Sequence, residues 1–195
     1  MRISMKSREK KIPGKRGRRL LYAVCALLVL FYVVVMWWGI TPDVGLEYKM
    51  YYITHELSDW PGYGNLSYEL GTEEIAVSRN DRNGNPAESK TCMRKGQGWE
   101  KEQYEGSVNS GGTSYIYYVP NQSAKDPEYT VEISDFQSES PEAQVRVYVN
   151  ETPAGVIDQK GTYTFDTGSI EQGELLTVRF EADGCSFTLW SACLA

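Results

Sequence analysis

The feature that most constrains this chain is an uncharged apolar run of 21 residues, from Leu20 to Ile40, that follows a basic N-terminus. At 1.5 Å per residue, a helix of this length measures roughly 31 Å, about the thickness of the hydrocarbon core of a bilayer. Trp37 and Trp38 stand near the end of the run, and indole rings favour the headgroup level. The run therefore predicts a transmembrane helix.

A cleaved signal peptide is the alternative interpretation of this segment. The apolar region of a signal peptide is normally about 7–15 residues long and ends in small residues, whereas here the run is longer and continues as "MWWGITPDVG". We therefore expect a retained signal-anchor in the cell membrane. The basic tail places the N-terminus in the cytoplasm and the chain after Thr41 outside the cell.

Charge is distributed very unevenly along the chain. Residues 1–19 carry nine Lys or Arg and one acidic residue, a net charge of +8, whereas residues 41–195 carry 11 Lys or Arg and 25 Asp or Glu, a net charge of −14. Binding to a polyanion needs clustered basic residues, so we expect no nucleic-acid partner for the exported part. The tail is an orientation signal with some attraction to anionic lipid.

The segment 41–62 predicts a short juxtamembrane helix, or stalk. Thr41 suits the cap position and Pro42 the first helical position. Apolar residues recur at helical spacing before "DWPG" ends the pattern, namely Leu46, Met50, Ile53 and Leu57. We expect the stalk helix to pack on the exported domain or to lie at the membrane interface, with binding of a partner as the alternative.

The pattern after residue 62 changes to a period of two. Segments such as "YTVEISDF", "AQVRVYVN" and "LLTVRFEADG" alternate apolar and polar residues, and Gly, Pro, Asn and Asp separate them. About eight such segments in roughly 130 residues predict a single all-β domain, a jelly-roll-like β-sandwich. The predicted organisation is a cytoplasmic tail at 1–19, a transmembrane helix at 20–40, a stalk at 41–62 and a β-sandwich at 63–195.

Three of the four cysteines lie in the exported part: Cys92, Cys185 and Cys193. Cys185 and Cys193 share a face of the predicted last strand, but eight residues of extended chain cover roughly 26 Å, far beyond the Cα separation of about 7 Å that a disulfide tolerates. Two alternatives remain. Cys92 forms a bridge with Cys185 or with Cys193, or all three remain thiols.

Neither a nucleophilic triad nor a metal centre is expected. His55 is the only histidine, and it falls on the predicted stalk helix, away from the strands, where we expect a surface residue. Oxygen-rich side chains surround Gly84 and form a weak Ca²⁺ candidate: Asp81, Asn83, Asn85 and Glu88. Their spacing departs from that of an EF-hand and "NGN" suits a tight turn, so we favour a turn without metal and expect no cofactor.

The stretch "GWEKEQYEG" is the strongest local signal for a binding site. Sugar sites combine a flat aromatic face, which stacks on a sugar ring, with carboxylates and amides that bond to hydroxyl groups. Trp99, Glu102 and Tyr104 are therefore the candidate glycan contacts. For Trp99, an anchor packed in the sandwich is the favoured interpretation, and a solvent-facing sugar platform is the alternative.

Catalysis by this stretch is not expected. A glycosidase needs two carboxyl groups about 5–5.5 or 6.5–9.5 Å apart, and among 25 exported acidic residues some such pair arises by chance. A hydrolase that uses Glu102 or Glu105 is the third hypothesis for the function, behind the two given below.

In sequence order, "YELGTEEIAV", "GQGWEKEQYEGSVNSGGTSYIYYVP", "VRVYVNETPAGVI", "GTYTFDT" and "GELLTVRFEADGC" resemble an extracytoplasmic β-sandwich module of bacterial membrane glycosyltransferases and phosphoglycerol transferases of cell-envelope glycan assembly. The matching positions are Gly98, Trp99, Glu102, Gly106, Gly111 or Gly112, Val119, Pro120, Val147, Val149, Asn150, Gly173, Leu175 and Phe180. The chain departs from the module at Val108, where Trp is usual, and at Glu151, where Gly is usual.

This resemblance covers about residues 66–185 and includes no transferase domain, so it implies an accessory or binding role. The leading hypothesis is a non-enzymatic, single-pass envelope protein whose sandwich binds glycan or assists a polysaccharide-assembly enzyme in the same membrane. The alternative is a protein-interaction subunit that docks on a polytopic membrane partner through its transmembrane helix and stalk.

Overall fold

The computed structural model of the chain describes residues 15–40, 44–76, 94–100, 106–138 and 140–195. The chain divides into two compact units, Met1–Val44 and Gly45–Ala195. The first unit contains helix α1, Lys15–Ile40, which is long and apolar enough to cross a membrane. No side chain of α1 is buried within the protein. Length and composition by themselves also fit a signal sequence near the N-terminus.

The second unit begins with the predicted short helix, which changes its winding partway. Helix α2, Leu46–Tyr48, continues as a π-helical turn, Lys49–Ile53. In that turn the N–H of Thr54 donates to the carbonyl of Lys49 at 2.9 Å. A π-helical turn holds more residues than an α-helical turn, so it shifts the phase of the predicted apolar stripe.

Because of that shift, two of the four apolar residues of the predicted stripe pack on the domain and two lie at its surface. Met50 and Leu57 are buried with Leu66 and share a small apolar cluster. Leu46 and Ile53 are 37% and 49% exposed. Packing of the stalk segment on the domain is therefore confirmed for Met50 and Leu57. Leu46 and Ile53 do not pack on it, and the expectation that the stalk lies at the membrane interface stays a prediction.

Within the described ranges ten strands form two sheets, which confirms the predicted all-β sandwich. The strands are β1 (Ser67–Tyr68), β2 (Glu73–Ile75), β3 (Ser107–Asn109), β4 (Gly112–Pro120), β5 (Glu128–Ser138), β6 (Gln144–Val149), β7 (Thr152–Ile157), β8 (Gly161–Asp166), β9 (Leu176–Asp183) and β10 (Cys185–Leu194). The first sheet has the order β1-β4-β9-β6-β7. The second has the order β2-β10-β5-β8, and β3 also pairs with β10.

Strand β7 was not predicted because it contains Pro153 and Gly155, which a strand tolerates at the edge of a sheet.

The central strands alternate as their sequences predict. Val145 and Val147 of β6 are fully buried and lie opposite Ala182 and Phe180 of β9 in the antiparallel register. Residues of β4, β5 and β10 complete the apolar layer between the two sheets. The period-two pattern therefore identified the core of the sandwich.

Strand β10 changes phase along its length. Its pairing with β5 is irregular around Leu189 and Ser191, so that Cys185 faces the core at the start of the strand and Ala192 faces it near the end. Cys193 lies opposite Thr130, half-buried and out of phase with Cys185. The prediction that Cys185 and Cys193 share a face is therefore wrong, because the bulge shifts the alternation by one residue.

Among the described residues no disulfide joins any two of Cys25, Cys185 and Cys193. Cys92 lies outside the described residues, so its bridge to Cys185 or Cys193 stays a prediction.

A buried arginine joins the two sheets. Arg94 is 1% exposed, and its Nε and Nη2 donate to the carboxylate of Glu74 on β2 at 3.0 and 3.2 Å. Nη1 and Nη2 donate to the carbonyls of Leu66 and Ser67 at the start of β1. The guanidinium also lies 5.4 Å from the ring centroid of Tyr68. Every part of this cation therefore has a partner, which is the condition for burying a charge.

Replacing Arg94 with Ala should destabilise the protein strongly, because the carboxylate of Glu74 and two carbonyls would remain buried without their donor. We expect a loss of about 3–5 kcal/mol in the free energy of unfolding. The measurement is urea unfolding of the full chain in detergent, followed by tryptophan fluorescence.

Arg146→Ala is the matched control, because Arg146 is 45% exposed and its ion pair with Asp183 lies at the surface. Its expected cost is about 0–1 kcal/mol. Equal effects of the two substitutions would contradict a structural role for the buried arginine.

Candidate functional site

Trp99, the first residue of the predicted glycan site, is packed in the sandwich. Its ring makes edge-to-face contacts with Phe180 and Phe187 at centroid distances of 5.8 and 5.7 Å. The indole N–H donates to the carbonyl of Tyr115 at 2.8 Å. The side chain is half-buried. This is the packing that the anchor interpretation expects, and a glycan contact by Trp99 stays a prediction.

The glycine before Trp99 has a specific role in this packing. Gly98 has a φ of +91°, and a Cβ atom at this position would lie 1.9 Å from the carbonyl oxygen of Thr113. Only glycine fits such a close approach of one backbone to another. The close backbone contact at Gly98 and the packing of Trp99 thus explain the Gly-Trp pair that the chain shares with the resembling module.

The other predicted site residues lie outside the described residues. They are Glu102 and Tyr104 of the glycan site, and Asp81, Asn83, Asn85 and Glu88 of the Ca²⁺ candidate. Their predicted roles stay predictions. Within the described ranges, no group of three or more His, Cys, Asp or Glu side chains is arranged to hold a metal ion.

A cleft of about 470 Å³ opens on the outer face of the first sheet. Residues from β4, β9, the β6–β7 turn and the segment that follows the stalk helix line it: His55, Glu56, Gln97, Tyr115, Tyr117, Glu151, Leu175 and Thr177. Pockets that bind small molecules commonly combine aromatic walls with a few placed polar groups, and this cleft has both.

Two tyrosines of β4 form the aromatic part of the cleft. Tyr115 and Tyr117 are two residues apart on one strand and therefore point to the same face of the sheet. Their rings are parallel within 2°, with centroids 6.2 Å apart. Tyr117 is 6% exposed because Met50 and Leu57 cover it, whereas Tyr115 is half-buried. Tyr115 is thus the more accessible of the two rings.

The segment 94–97 runs beside these rings. Gly96 and Gln97 bond to the backbone of Tyr115, with distances of 2.8 and 3.2 Å. A Cβ atom at Gly96 would lie 2.7 Å from the ring of Tyr117. The absence of a side chain at Gly96 therefore lets the chain pass directly against the tyrosine pair.

The segment after the stalk helix forms one wall of the cleft. His55 has a φ of +55°, and its carbonyl accepts a hydrogen bond from Nε2 of Gln97 at 3.0 Å. Glu56 follows it into the cleft. The expectation that His55 lies away from the strands is wrong, because the chain turns at His55 and returns toward β4.

Burial and a neighbouring carboxylate both act on Tyr117. Burial of the hydroxyl raises its pKa above the ordinary value of 10.0, and the negative charge of Glu56 raises the pKa further, as does Tyr115 to a smaller extent. An ionised phenol is unfavourable in this position. Tyr117 therefore remains a neutral hydroxyl over the physiological pH range.

The opposite wall of the cleft is an ion-paired cluster. Glu151 bonds to Arg179 at 2.9 Å, and Arg179 also bonds to Glu181 at 2.7 Å. The guanidinium of Arg179 lies 4.1 Å from the ring centroid of Tyr148. Two carboxylates and an aromatic face thus engage this cation, so the wall offers little positive charge to a ligand.

Glu151 is also one of the two positions, with Val108, where the chain departs from the resembling module. Asn150 and Glu151 both have left-handed φ values, +46° and +65°, a conformation that glycine adopts more readily. Hydrogen bonds between Asn150 and Thr177 of β9, both at 2.9 Å, hold the turn. The departure therefore places a carboxylate at the rim of the cleft.

Sequence analysis missed this cleft, although part of its signal was visible. The alternation in "SYIYYVP" places Tyr115 and Tyr117 on one face. The contributions of Glu56 and Gln97 had no such signal, because these residues are 41 positions apart in the chain.

No family model matches the chain, and no curated protein matches it. Solved structures give weak similarities. The CBM36-1 domain of a multidomain xylanase from the hindgut metagenome of Trinervitermes trinervoides is 12% identical, with a TM-score of 0.35 over 64% of this chain and 95% of that one. The C-terminal CBM6 of LamC from Zobellia galactanivorans is also 12% identical, with a TM-score of 0.35 over 63% of this chain and 98% of that one.

A third similarity is to the mosquito-larvicidal Cry4Aa toxin of Bacillus thuringiensis, with 8% identity and a TM-score of 0.43 over 66% of this chain. The matched part is 24% of the toxin chain. At these scores the binding properties of the three proteins do not carry over to this chain.

The buried tyrosines predict a steep loss of stability at high pH. Burial is the main cause that raises the pKa of four of them: Tyr68, Tyr117, Tyr118 and Tyr129. A raised pKa in the folded state favours the protonated form, so its contribution to stability is complete below about pH 10 and is lost as the pH rises above it. Absorbance at 295 nm follows the ionisation of tyrosine, and tryptophan fluorescence follows unfolding. We expect part of the rise in absorbance to occur only at the pH at which the fluorescence shows that the protein unfolds.

Tyr117→Phe removes one of these hydroxyls and should move the midpoint of alkaline unfolding to higher pH. Complete titration of the tyrosines before any change in fluorescence would contradict this interpretation.

Proposed function

We propose that this protein is a single-pass membrane protein whose extracytoplasmic β-sandwich binds a glycan in the cleft beside Tyr115. The observation that carries the proposal is the combination, in one 470 Å³ cleft, of a half-buried tyrosine ring with the side chains of Gln97, Glu56 and Thr177. An aromatic ring stacks on the apolar face of a sugar. Amide, carboxylate and hydroxyl groups bond to its hydroxyls.

The charges of the cleft favour a neutral or amino-bearing sugar. Glu56 and Glu151 contribute carboxylates, and Arg179, the neighbouring cation, is already bonded to Glu151 and Glu181. An acidic sugar would bring a further negative charge next to these carboxylates. We therefore propose neutral or amino sugars as the ligand class.

We propose a binding role without catalysis. Glu151 forms an ion pair with Arg179. Glu56, the other carboxylate that lines the cleft, is not bound by Arg179. A glycosidase needs two carboxyl groups with separate acid and base or nucleophile roles. Hydrolysis that is lost in Glu56→Gln, while the protein stays folded, would overturn this part of the proposal.

We also propose that the protein assists an enzyme of envelope polysaccharide assembly in the same membrane. The resemblance of residues 66–185 to accessory modules of membrane transferases supports this role, and α1 supports the membrane anchor. Co-purification of the full chain in a mild detergent, with identification of the associated proteins, tests it. Loss of association when Leu20–Ile40 is replaced by an unrelated transmembrane helix would instead favour a protein-interaction subunit.

Tyr115→Ala should weaken glycan binding at least about tenfold, or ~1.4 kcal/mol, because it removes the accessible stacking face. Tyr115→Phe keeps the ring and should retain most of the affinity. The full chain is titrated in a sugar-free detergent with a β-linked glucose hexasaccharide, a glucosamine hexasaccharide and an oligogalacturonate, and binding is followed by calorimetry.

We expect the first two sugars to bind and the acidic one not to bind. Tyr163→Ala is the matched control, since Tyr163 is a half-buried tyrosine on β8 of the other sheet. Equal loss of affinity in both alanine variants, or no binding by the folded protein at millimolar sugar, would overturn the proposed site.

A further inference from the structure

A second surface of the exported unit is formed by aromatic residues of the stalk segment. Trp60 is at its centre, and its ring contacts those of four tyrosines at centroid distances between 5.3 and 6.5 Å: Tyr48, Tyr51, Tyr52 and Tyr63. None of these five residues lines the glycan cleft. The cluster therefore needs an explanation of its own.

One side of this cluster is open to the surroundings. Tyr63 is 73% exposed, Tyr52 51% and Ile53 49%. Leu46, at the start of α2, is 37% exposed. These four residues and Trp60 are called the aromatic face below. Single exposed apolar side chains are common on proteins, but Tyr52 and Tyr63 both contact Trp60, and a connected exposed group of this kind marks an interaction surface.

The π-helical turn explains why Ile53 is exposed. A regular α-helix would turn Ile53 toward the same side as Met50, whereas the turn at Lys49–Ile53 leaves Met50 buried and Ile53 outside. The same segment therefore contacts the sandwich with Met50 and presents aromatic and apolar groups to its surroundings. π-helical turns are often found at functional positions.

The number of residues between α1 and α2 limits how far the aromatic face can lie from the end of α1. Leu46 follows Ile40, the last residue of α1, by six positions. An extended chain covers at most about 3.6 Å per residue, so this stretch spans no more than roughly 22 Å. If α1 crosses the bilayer, as proposed above, the aromatic face begins within that distance of the membrane surface. Tyr63, its most exposed member, lies beside Gly45, where the unit begins.

The chemistry of the face matches the headgroup layer of a bilayer. Tyrosine and tryptophan are enriched at this level because each has an apolar body and a polar tip. Leu46 and Ile53 add apolar side chains that reach past the headgroups. The net charge of −14 on residues 41–195 favours zwitterionic over anionic lipid as the contact.

We propose that the aromatic face docks on the zwitterionic headgroup layer of the membrane that α1 crosses and so holds the sandwich against the bilayer. This inference rests on the membrane anchor of the proposed function and is independent of glycan binding.

The chain contains five tryptophans, which report on the membrane and on the sandwich in one experiment. The full chain, labelled with 5-fluorotryptophan, is placed in phosphatidylcholine nanodiscs, and each fluorine resonance is assigned by a Trp→Phe substitution. Lipid with a nitroxide near the headgroup is then added. We expect the resonance of Trp60 to lose intensity together with those of Trp37 and Trp38. Trp99 and Trp190, which belong to the sandwich, should keep theirs.

The outcomes separate this inference from the proposed anchor. Loss at Trp37 and Trp38 but not at Trp60 would support the anchor and overturn docking, and a protein partner would then be the remaining occupant of the face. Intensity retained by all five tryptophans would overturn both the anchor and docking.

A double variant distinguishes docking from mere nearness. Tyr52→Ser with Tyr63→Ser removes the two most exposed rings, and the loss of intensity at Trp60 should become smaller. Tyr163→Ser, in the other sheet, is the control and should leave that loss unchanged. An undiminished loss at Trp60 in the double variant would mean that the short connection alone brings it near the lipid, and this would overturn docking.

Discussion

The buried ion pair of Arg94 and Glu74 is the interaction on which the arrangement of this domain depends. Glu74 belongs to β2 of one sheet, and the carbonyls that Arg94 also binds belong to the start of β1 in the other. A buried ion pair by itself often adds little to stability, but its partners are costly to separate once it has formed. Arg94 therefore fixes where two short strands, each with few ladder hydrogen bonds of its own, enter their sheets.

The candidate binding cleft follows from the position of Arg94. Residues 95–97 continue from it along the edge of β4, where Gly96 passes the rings of Tyr115 and Tyr117. Gln97 then holds the carbonyl of His55, and Gly98 and Trp99 turn inward to the core. One short segment thus connects the buried cation, the wall of the cleft and the aromatic anchor. Trp99, a residue for which the sequence suggested sugar contact, follows Gln97, which lines the cleft, by two positions.

The stalk segment has a buried and an exposed surface. Met50 and Leu57 cover Tyr117 and so belong to the support of the cleft, whereas Tyr52, Ile53 and Tyr63 face outward. The proposed membrane contact and the cleft therefore share one short segment of chain.

The sequence by itself determined the apolar helix, the strong asymmetry of charge, the all-β class and the inward residues of the long strands. These features depend on composition and on periods of two or of 3.6 residues within one segment. It also placed Trp99 correctly as an anchor in its favoured interpretation. Only the tertiary structure decided the phase shift in β10, the split of the stalk stripe at its π-helical turn, the burial of Arg94 and the cleft that joins His55, Gln97, Tyr115 and Glu151. The physical reason is that these features depend on contacts between segments far apart in the chain. A bulge, a π-helical turn or a buried salt bridge also leaves no periodic pattern in the sequence from which it could be predicted.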